Sequence, residues 1–131
     1  FRRVLFRSER TISRITSNNT LEDVDWPFTY GIEAVWGKNE NLFYAVGEGI
    51  FRRKNSTWEL EERMLAMDID GEDYNSIGVV GLGGKLNYFN GLTWYQYTPI
   101  GNSNLNSVSI RNNTIAITAT YSNKIIIGHR N

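Results

Sequence analysis

The sequence contains no cysteine, so a disulfide, a thiolate metal site and a cysteine nucleophile are all excluded within these 131 residues. Histidine is almost as scarce, because His129 is the only one in the chain. A histidine-based catalytic triad and a metal site with two histidine ligands are therefore excluded as well. The sequence also has no run of 18 apolar residues, and so it predicts no membrane-spanning helix.

An excess of basic charge is missing too, since the chain has 14 basic and 14 acidic residues. The first eight residues match the translation of a common sequencing-library adapter, and we expect residues 1–8 to be a non-native segment that precedes a biological domain over residues 9–131. Without the arginines of that segment, 11 basic residues remain against 14 acidic ones. A nucleic-acid-binding surface needs a basic stripe, so we expect no nucleic-acid partner.

The residues that are present favour an all-β fold. Helical periodicity is weak throughout, and β-branched and aromatic residues are interrupted by Gly, Asn or Ser every six to ten positions. This pattern is typical of short antiparallel strands. The single stretch with some helical character, residues 58–67, is better explained by a strand that ends near Glu61.

One motif occurs twice, 36 residues apart. The first copy runs from Leu42 to Phe51 and is followed by a turn and Trp58, and the second runs from Ile77 to Leu86 and is followed by a turn and Trp94. A repeat of this size, made of short strands and tight turns, is typical of a β-propeller blade. Since a blade takes roughly 40–50 residues and a closed ring needs at least four, the chain is expected to hold two and a half to three four-stranded antiparallel blades of an incomplete propeller.

The repeat and the turn residues predict the positions of the strands. Residues 9–16 are assigned to the end of a preceding blade, and residues 17–30 to a long loop. Residues 37–41 and 71–75 are expected to connect the first two strands of their blades. The predicted strands are residues 32–36, 42–46, 50–53, 58–61, 65–69, 76–81, 85–89, 93–97, 105–110, 114–120 and 124–128.

The second copy resembles a kelch-type repeat through Val80-Gly81, Gly83-Gly84, Tyr88, Asn90-Gly91 and Trp94. The turn from residue 90 to residue 94 also resembles a shortened Asp-box, the hairpin of sialidase-type propellers. Over residues 32–131 the chain is most similar to short-blade propeller repeats of exported or surface proteins of bacteria. The resemblance implies a C-terminal propeller fragment located outside the cell, in the periplasm or at the cell surface.

One acidic cluster suggests a metal site. Asp68, Asp70 and Asp73 lie on either side of Gly71, and alternate carboxylates beside a glycine can surround Ca²⁺ with oxygen ligands. The order of residues does not match an EF-hand loop. The alternative is a solvated loop between the first two strands of a blade.

Three aromatic residues are candidates for binding. Trp26, Tyr30 and Tyr74 fall in segments expected to be loops, where aromatic faces can stack on sugar rings or anchor a protein partner. The alternative for all three is packing between blades.

The sequence shows no convergent set of catalytic residues, and no catalytic site is assigned. We therefore expect a non-catalytic binding or scaffolding module with a protein or carbohydrate partner and no cofactor beyond the Ca²⁺ considered above. The alternative is part of a carbohydrate-active propeller enzyme whose catalytic residues lie in other blades.

Overall fold

A computed structural model describes the backbone of residues 4–8 and all of residues 11–120 and 124–129. The chain forms four antiparallel sheets that follow one another in sequence, and in each sheet consecutive strands pair as a meander. The prediction of an all-β fold with antiparallel sheets is confirmed. The only helical segment among the described residues is a short 3₁₀ turn over Leu82–Gly84.

The first sheet has three strands, β1 (Val4–Ser8), β2 (Thr11–Ile15) and β3 (Leu21–Val24). The expected long loop over residues 17–30 is therefore wrong at its centre. Strand β3 leaves three of its four residues exposed, so it lacks the apolar alternation that marks a strand in sequence. The non-native origin of residues 1–8 stays a prediction, and β1 pairs antiparallel with β2.

The second and third sheets have four strands each, and every strand predicted for them is present. The second comprises β4 (Ile32–Asn39), β5 (Leu42–Gly47), β6 (Ile50–Lys54) and β7 (Thr57–Glu62). The third comprises β8 (Ala66–Asp73), β9 (Ser76–Gly81), β10 (Leu86–Phe89) and β11 (Trp94–Gln96).

The first strands of these two sheets extend further than expected. The connections assigned to residues 37–41 and 71–75 are wrong, since β4 continues to Asn39 and β8 to Asp73. The turns contain only two residues, 40–41 and 74–75. The sequence does not predict these strand ends, because their residues are polar. Asn39 and Asp73 accept hydrogen bonds from the N–H groups of their own turns, and Lys38 lies 3.6 Å from Asp73 of the next sheet.

The fourth sheet has three strands among the described residues, β12 (Leu105–Arg111), β13 (Thr114–Ala119) and β14 (Ile125–His129). The part of the predicted β13 strand at residue 120 lies beyond its observed end, and the segment 121–123 lies outside the described residues. Strand β14 is at the edge of the sheet, with β13 on its inner side.

The internal repeat extends to the register of the strands. The last three sheets each have a shift in the ladder between their first two strands, and it occupies the same place in each. It falls between Ile32 and Ala34, between Ala66 and Asp68, and between Leu105 and Ser107. Trp58 pairs with Arg53 as the second residue of its fourth strand, and Trp94 pairs with Phe89 as the first residue of its own.

Three apolar cores separate the four sheets. The second strands β5 and β9 are buried on both faces, so alternate residues face the preceding and the following sheet. In β5, Phe43 and Ala45 belong to the core with the first sheet, while Tyr44 and Val46 belong to the core with the third. In β9, Val79 faces back in the same way, and Val80 joins the core with the fourth sheet.

Candidate functional site

The most regular polar contacts between sheets are made by three carboxylates, which we call the carboxylate ladder. They occupy alternate residues of β8, whose side chains point to the same face. Each accepts a hydrogen bond from a backbone N–H of the next sheet: Asp68 from Val108 at 2.9 Å, Asp70 from Ile110 at 2.8 Å, and Glu72 from Asn112 at 3.0 Å. The ladder fixes the first strand of the fourth sheet alongside β8.

The proposed calcium ligands do not converge. Asp68 and Asp70 belong to the carboxylate ladder, whereas Asp73 accepts a hydrogen bond from the N–H of Tyr74 at 2.8 Å and lies 3.6 Å from the Lys38 ammonium. The described residues contain no group of three or more His, Cys, Asp or Glu side chains placed to hold a metal ion. Calcium binding by Asp68, Asp70 and Asp73 stays a prediction, and the geometry gives these carboxylates a structural use.

Trp26 and Tyr30 lie next to each other at the boundary between the first and second sheets. The Trp26 indole donates a hydrogen bond to the Tyr30 carbonyl at 3.1 Å. Its ring meets Phe51 and Trp58 edge to face, with centroid distances of 5.0 and 4.9 Å. The Tyr30 ring stacks on Phe51 at 5.7 Å and remains partly exposed. Both residues thus cover the second sheet, and their role in binding stays a prediction.

Tyr74 lies at a different sheet boundary, in the turn after β8. Its hydroxyl donates to the Leu42 carbonyl and accepts the Lys38 backbone N–H at 2.9 Å, and its ring meets Trp36 edge to face at 5.4 Å. The side chain therefore connects the first turn of the third sheet to that of the second. The structure does not combine Tyr74 with Trp26 and Tyr30 into one site.

A cleft of about 430 Å³ with a mostly apolar lining lies between the third and fourth sheets. Its volume lies in the range of small-ligand sites, which are mostly apolar with a few polar groups. One polar group of the rim is His129, whose Nδ1 lies 3.2 Å from the Thr114 hydroxyl. The apolar lining comes from Leu86, Tyr88, Tyr97 and Ile100 on one side, and from Ile110, Ile115, Ile117 and Ile126 on the other.

The boundary between the second and third sheets is filled where the next boundary has the cleft. At the preceding boundary, Trp94 of the fourth strand packs over Phe89 and against Tyr44 of the second sheet. Its indole donates to the Glu61 carboxylate at 2.7 Å. Burial raises the pKa of the Tyr44 phenol, so this ring remains neutral in the core. Among the described residues the fourth sheet has three strands, and its boundary with the third sheet carries the cleft.

Sequence reasoning did not find this cleft. Its lining combines residues of the third sheet with residues of the fourth, and these come together only through the packing of the two sheets. The sequence alone does not identify Gly128 as a residue of the cleft. Its position is known only from the strand register, in which Gly128 pairs with Ile115 as Phe89 pairs with Ile77.

A second opening, of about 380 Å³, lies between the first and second sheets and has a polar lining. Arg14 and Glu40 line it, and the Arg14 guanidinium lies 2.9 Å from the Glu22 carboxylate and 2.6 Å from that of Glu40. Hydrogen bonding to Glu22 and the charges of both carboxylates raise the pKa of Arg14. The opening is therefore already bridged by an internal ion pair network.

Comparison with protein-family models and with curated proteins finds no match to this chain. Among the described residues no helix has the length and apolarity needed to cross a membrane.

Proposed function

We propose that the four sheets are successive blades of a β-propeller, and that the segment serves as a non-catalytic binding or scaffolding module of an exported bacterial protein. The observation that carries the proposal is the wedge-shaped spacing between sheets. Cα atoms of β8 come within 8 Å of those of β4 on one side and of β12 on the other. Sheets that stack flat lie about 10 Å apart, so the first strands converge more closely than a flat stack requires.

The spacing widens away from the first strands. Between β8 and β12 a single layer of carboxylates, Asp68 and Asp70, is enough to bridge to backbone N–H groups. Further from the first strands, the rings of Tyr44 on β5 and Trp94 on β11 fill the space between the second and third sheets. The space between the third and fourth sheets contains the cleft. Sheets that converge at their first strands and diverge at their last strands fan around an axis, as propeller blades do.

The chemistry of the surfaces supports a module that binds rather than one that reacts. The candidate acids of the ladder already accept backbone hydrogen bonds, and Arg14 is paired with two carboxylates. The cleft offers apolar area with a few polar groups, which suits a protein segment. The exported location rests on the resemblance to propeller repeats of bacterial surface proteins.

The function is tested by assaying one preparation of the full chain for turnover and for binding. It is incubated with a panel of 4-nitrophenyl glycosides, and separately with arrays of short peptides and of oligosaccharides. We expect no release of nitrophenol above a heat-treated sample, together with saturable binding to array members. Glycoside turnover that follows the protein through a second chromatographic step would overturn the proposal in favour of the carbohydrate-active alternative.

A further inference from the structure

We propose that the polar opening between the first and second sheets binds a saccharide unit. This opening is the one lined by Arg14 and Glu40, and its volume of about 380 Å³ lies in the range of small-ligand sites. The inference rests on the proposed function as a binding module, and it names one class of ligand and the place where that ligand binds.

The lining of the opening departs from the repeat at two positions. Glu40 and Tyr74 are the first residues of equivalent two-residue turns, and Arg53 and Phe89 are the third-strand partners of the two repeated tryptophans. At the boundary between the second and third sheets, Tyr74 contacts the second sheet and the Phe89 ring packs against its tryptophan. The first boundary has a carboxylate and a guanidinium at the same positions. Such local departures from the packing pattern are typical of functional sites.

The opening lies between strands that are paired on both sides. Arg14 is on β2, which pairs with β1 and β3, and Arg53 is on β6, which pairs with β5 and β7. The turn that reaches across this boundary contains Glu40 and belongs to the second sheet, as Tyr74 of the third sheet reaches across the next boundary. The opening is therefore a property of paired strands and their turns, and not of an unpaired strand edge.

Arg53 is the guanidinium of the opening that has no carboxylate partner among the described residues. Its central carbon lies 5.5 Å from the centroid of the Phe43 ring, within cation–π distance, and its Nε atom is buried without a hydrogen-bond partner. Arg14 differs, because Glu22 and Glu40 both pair with it. The terminal N–H groups of Arg53 are thus available to an acceptor in the opening.

The opening also offers acceptors and uncharged polar groups. Asp23 accepts a hydrogen bond from the Ser13 hydroxyl at 3.0 Å, whereas the Asp25 carboxylate has no partner among the described residues. Asn41 and Ser56 add an amide and a hydroxyl to the lining. Unpaired hydrogen-bonding groups of both kinds therefore face the same space.

A neutral polyol fits this lining better than an ion of either charge. An anion would meet the carboxylates of Asp23, Asp25 and Glu40, and a cation would meet the guanidiniums of Arg14 and Arg53. Guanidinium groups only donate hydrogen bonds and ionised carboxylates only accept them, so the ligand must offer both kinds of group. Each sugar hydroxyl is at once a donor and an acceptor. One hydroxyl would accept from Arg53 while another donates to Asp25.

Sugar binding is tested by nuclear magnetic resonance on the full chain labelled with heavy nitrogen. D-glucose, D-galactose, D-mannose and N-acetyl-D-glucosamine are titrated separately, and the backbone amide signals are followed. We expect saturable shifts at Asn41, Arg53 and Ser56 with at least one of these sugars. No saturable shift at these amides with any of them would overturn the proposal. Saturation by sulfate or spermidine in the absence of any effect of the sugars would overturn it too, because the opening would then be a site for a simple ion.

Two variants locate the site. Asp25→Asn removes the charged acceptor, and Arg53→Phe installs the residue that the repeat has at position 89. Each is expected to weaken sugar binding at least about tenfold, since hydrogen bonds to charged groups are the strong ones. Arg53→Phe should not lower the thermal unfolding temperature, because Phe89 packs beside its tryptophan in the same way. Asp73→Asn is the matched control, because Asp73 lies outside the lining and its side chain is 61% exposed. Unchanged sugar affinity of the folded Asp25→Asn and Arg53→Phe proteins would contradict the assigned place.

Failure of this inference and failure of the proposed function give different results. Binding to the peptide array, with no effect of the sugars on these amides, would leave the binding module standing and overturn the saccharide site. Sugar-induced shifts confined to residues outside the opening would do the same. Glycoside turnover that follows the protein through purification would overturn the proposed function, whichever amides respond to the sugars.

Discussion

Two glycines, Gly47 and Gly81, end the second strands at places where the backbone leaves no room for a side chain. A Cβ atom on Gly47 would lie 2.1 Å from the Gly31 carbonyl oxygen, and one on Gly81 would lie 2.0 Å from that of Leu65. Both contacts are with backbone atoms, which cannot rotate away as a side chain can. The same close approach in two sheets shows that the Val-Gly pair of the repeat is required by the packing of the chain.

We predict that Gly81→Ala lowers the free energy of unfolding by at least about 3 kcal/mol, in the upper part of the range for single substitutions. Gly83→Ala is the control, because Gly83 has φ +70° but open space around it. Its cost should be limited to about 1–2 kcal/mol, the penalty of a left-handed backbone. Urea titration measures both, and an equal loss in the two variants would refute the steric argument.

The carboxylate ladder gives the second prediction at this scale. Asp70→Ala removes the acceptor of the buried Ile110 N–H, and hydrogen bonds to charged groups contribute about 1.5–3 kcal/mol. We expect a destabilisation of that order by urea titration. Asp73→Ala serves as the comparison, since its side chain is 61% exposed against 20% for Asp70, and its surface ion pair should contribute under about 1 kcal/mol. A smaller effect at Asp70 than at Asp73 would contradict the role of the ladder.

At the scale of the elements, the fourth strands set the distance between sheets. Trp58 meets Phe43 edge to face with centroids 5.4 Å apart, and its indole donates to the Asp25 carbonyl at 2.6 Å. Trp94 has the corresponding arrangement one boundary later, with Glu61 as the acceptor. Each outer strand therefore closes the boundary between its own sheet and the one before it.

Trp94→Ala should destabilise the chain by about 2–4 kcal/mol, somewhat below the cost of removing a fully buried aromatic side chain. Its neighbour Tyr95 is 60% exposed on the opposite face of the strand, so Tyr95→Ala should cost less than about 1 kcal/mol. Chemical denaturation of the two variants measures the difference. Similar stability of both would mean that the indole does not hold the two sheets together.

The strands of the repeat could be predicted because their apolar residues follow the pattern of a buried sheet. Ser76–Gly81 was predicted with its observed bounds, since all six residues are buried. The strand Leu21–Val24 and the ends of β4 and β8 could not be found in this way. Their polar side chains are satisfied partly by nearby turns, as Asn39 is by the N–H of Leu42, and partly by other sheets, as Glu72 is by Asn112. Calcium binding by Asp68, Asp70 and Asp73 stays a prediction, and the long-range partners of Asp68 and Asp70 could not be read from the sequence.

At the scale of the whole molecule, the two middle sheets share one pattern of contact, in which the second strand faces both neighbouring sheets. The two outermost positions lack that arrangement. On β14, Ile125 and Ile127 expose their side chains on the face that points away from the third sheet. Repeat proteins gain much of their stability from interfaces between neighbouring units, as at the three apolar cores between these sheets.

The most direct test of this account compares the distance between the second and fourth sheets at their first strands with the distance at their outer strands. The absence of cysteine allows labels to be placed only at the chosen positions. Spin labels would be placed at exposed residues of the second and fourth sheets, as an inner pair Glu33→Cys with Asn106→Cys and an outer pair Glu59→Cys with Ile127→Cys. Pulsed electron paramagnetic resonance measures the distance within each pair. The account predicts a clearly longer distance for the outer pair, because propeller blades diverge outward. Equal distances near 20 Å, roughly twice the 10 Å spacing of flat sheets, would contradict it.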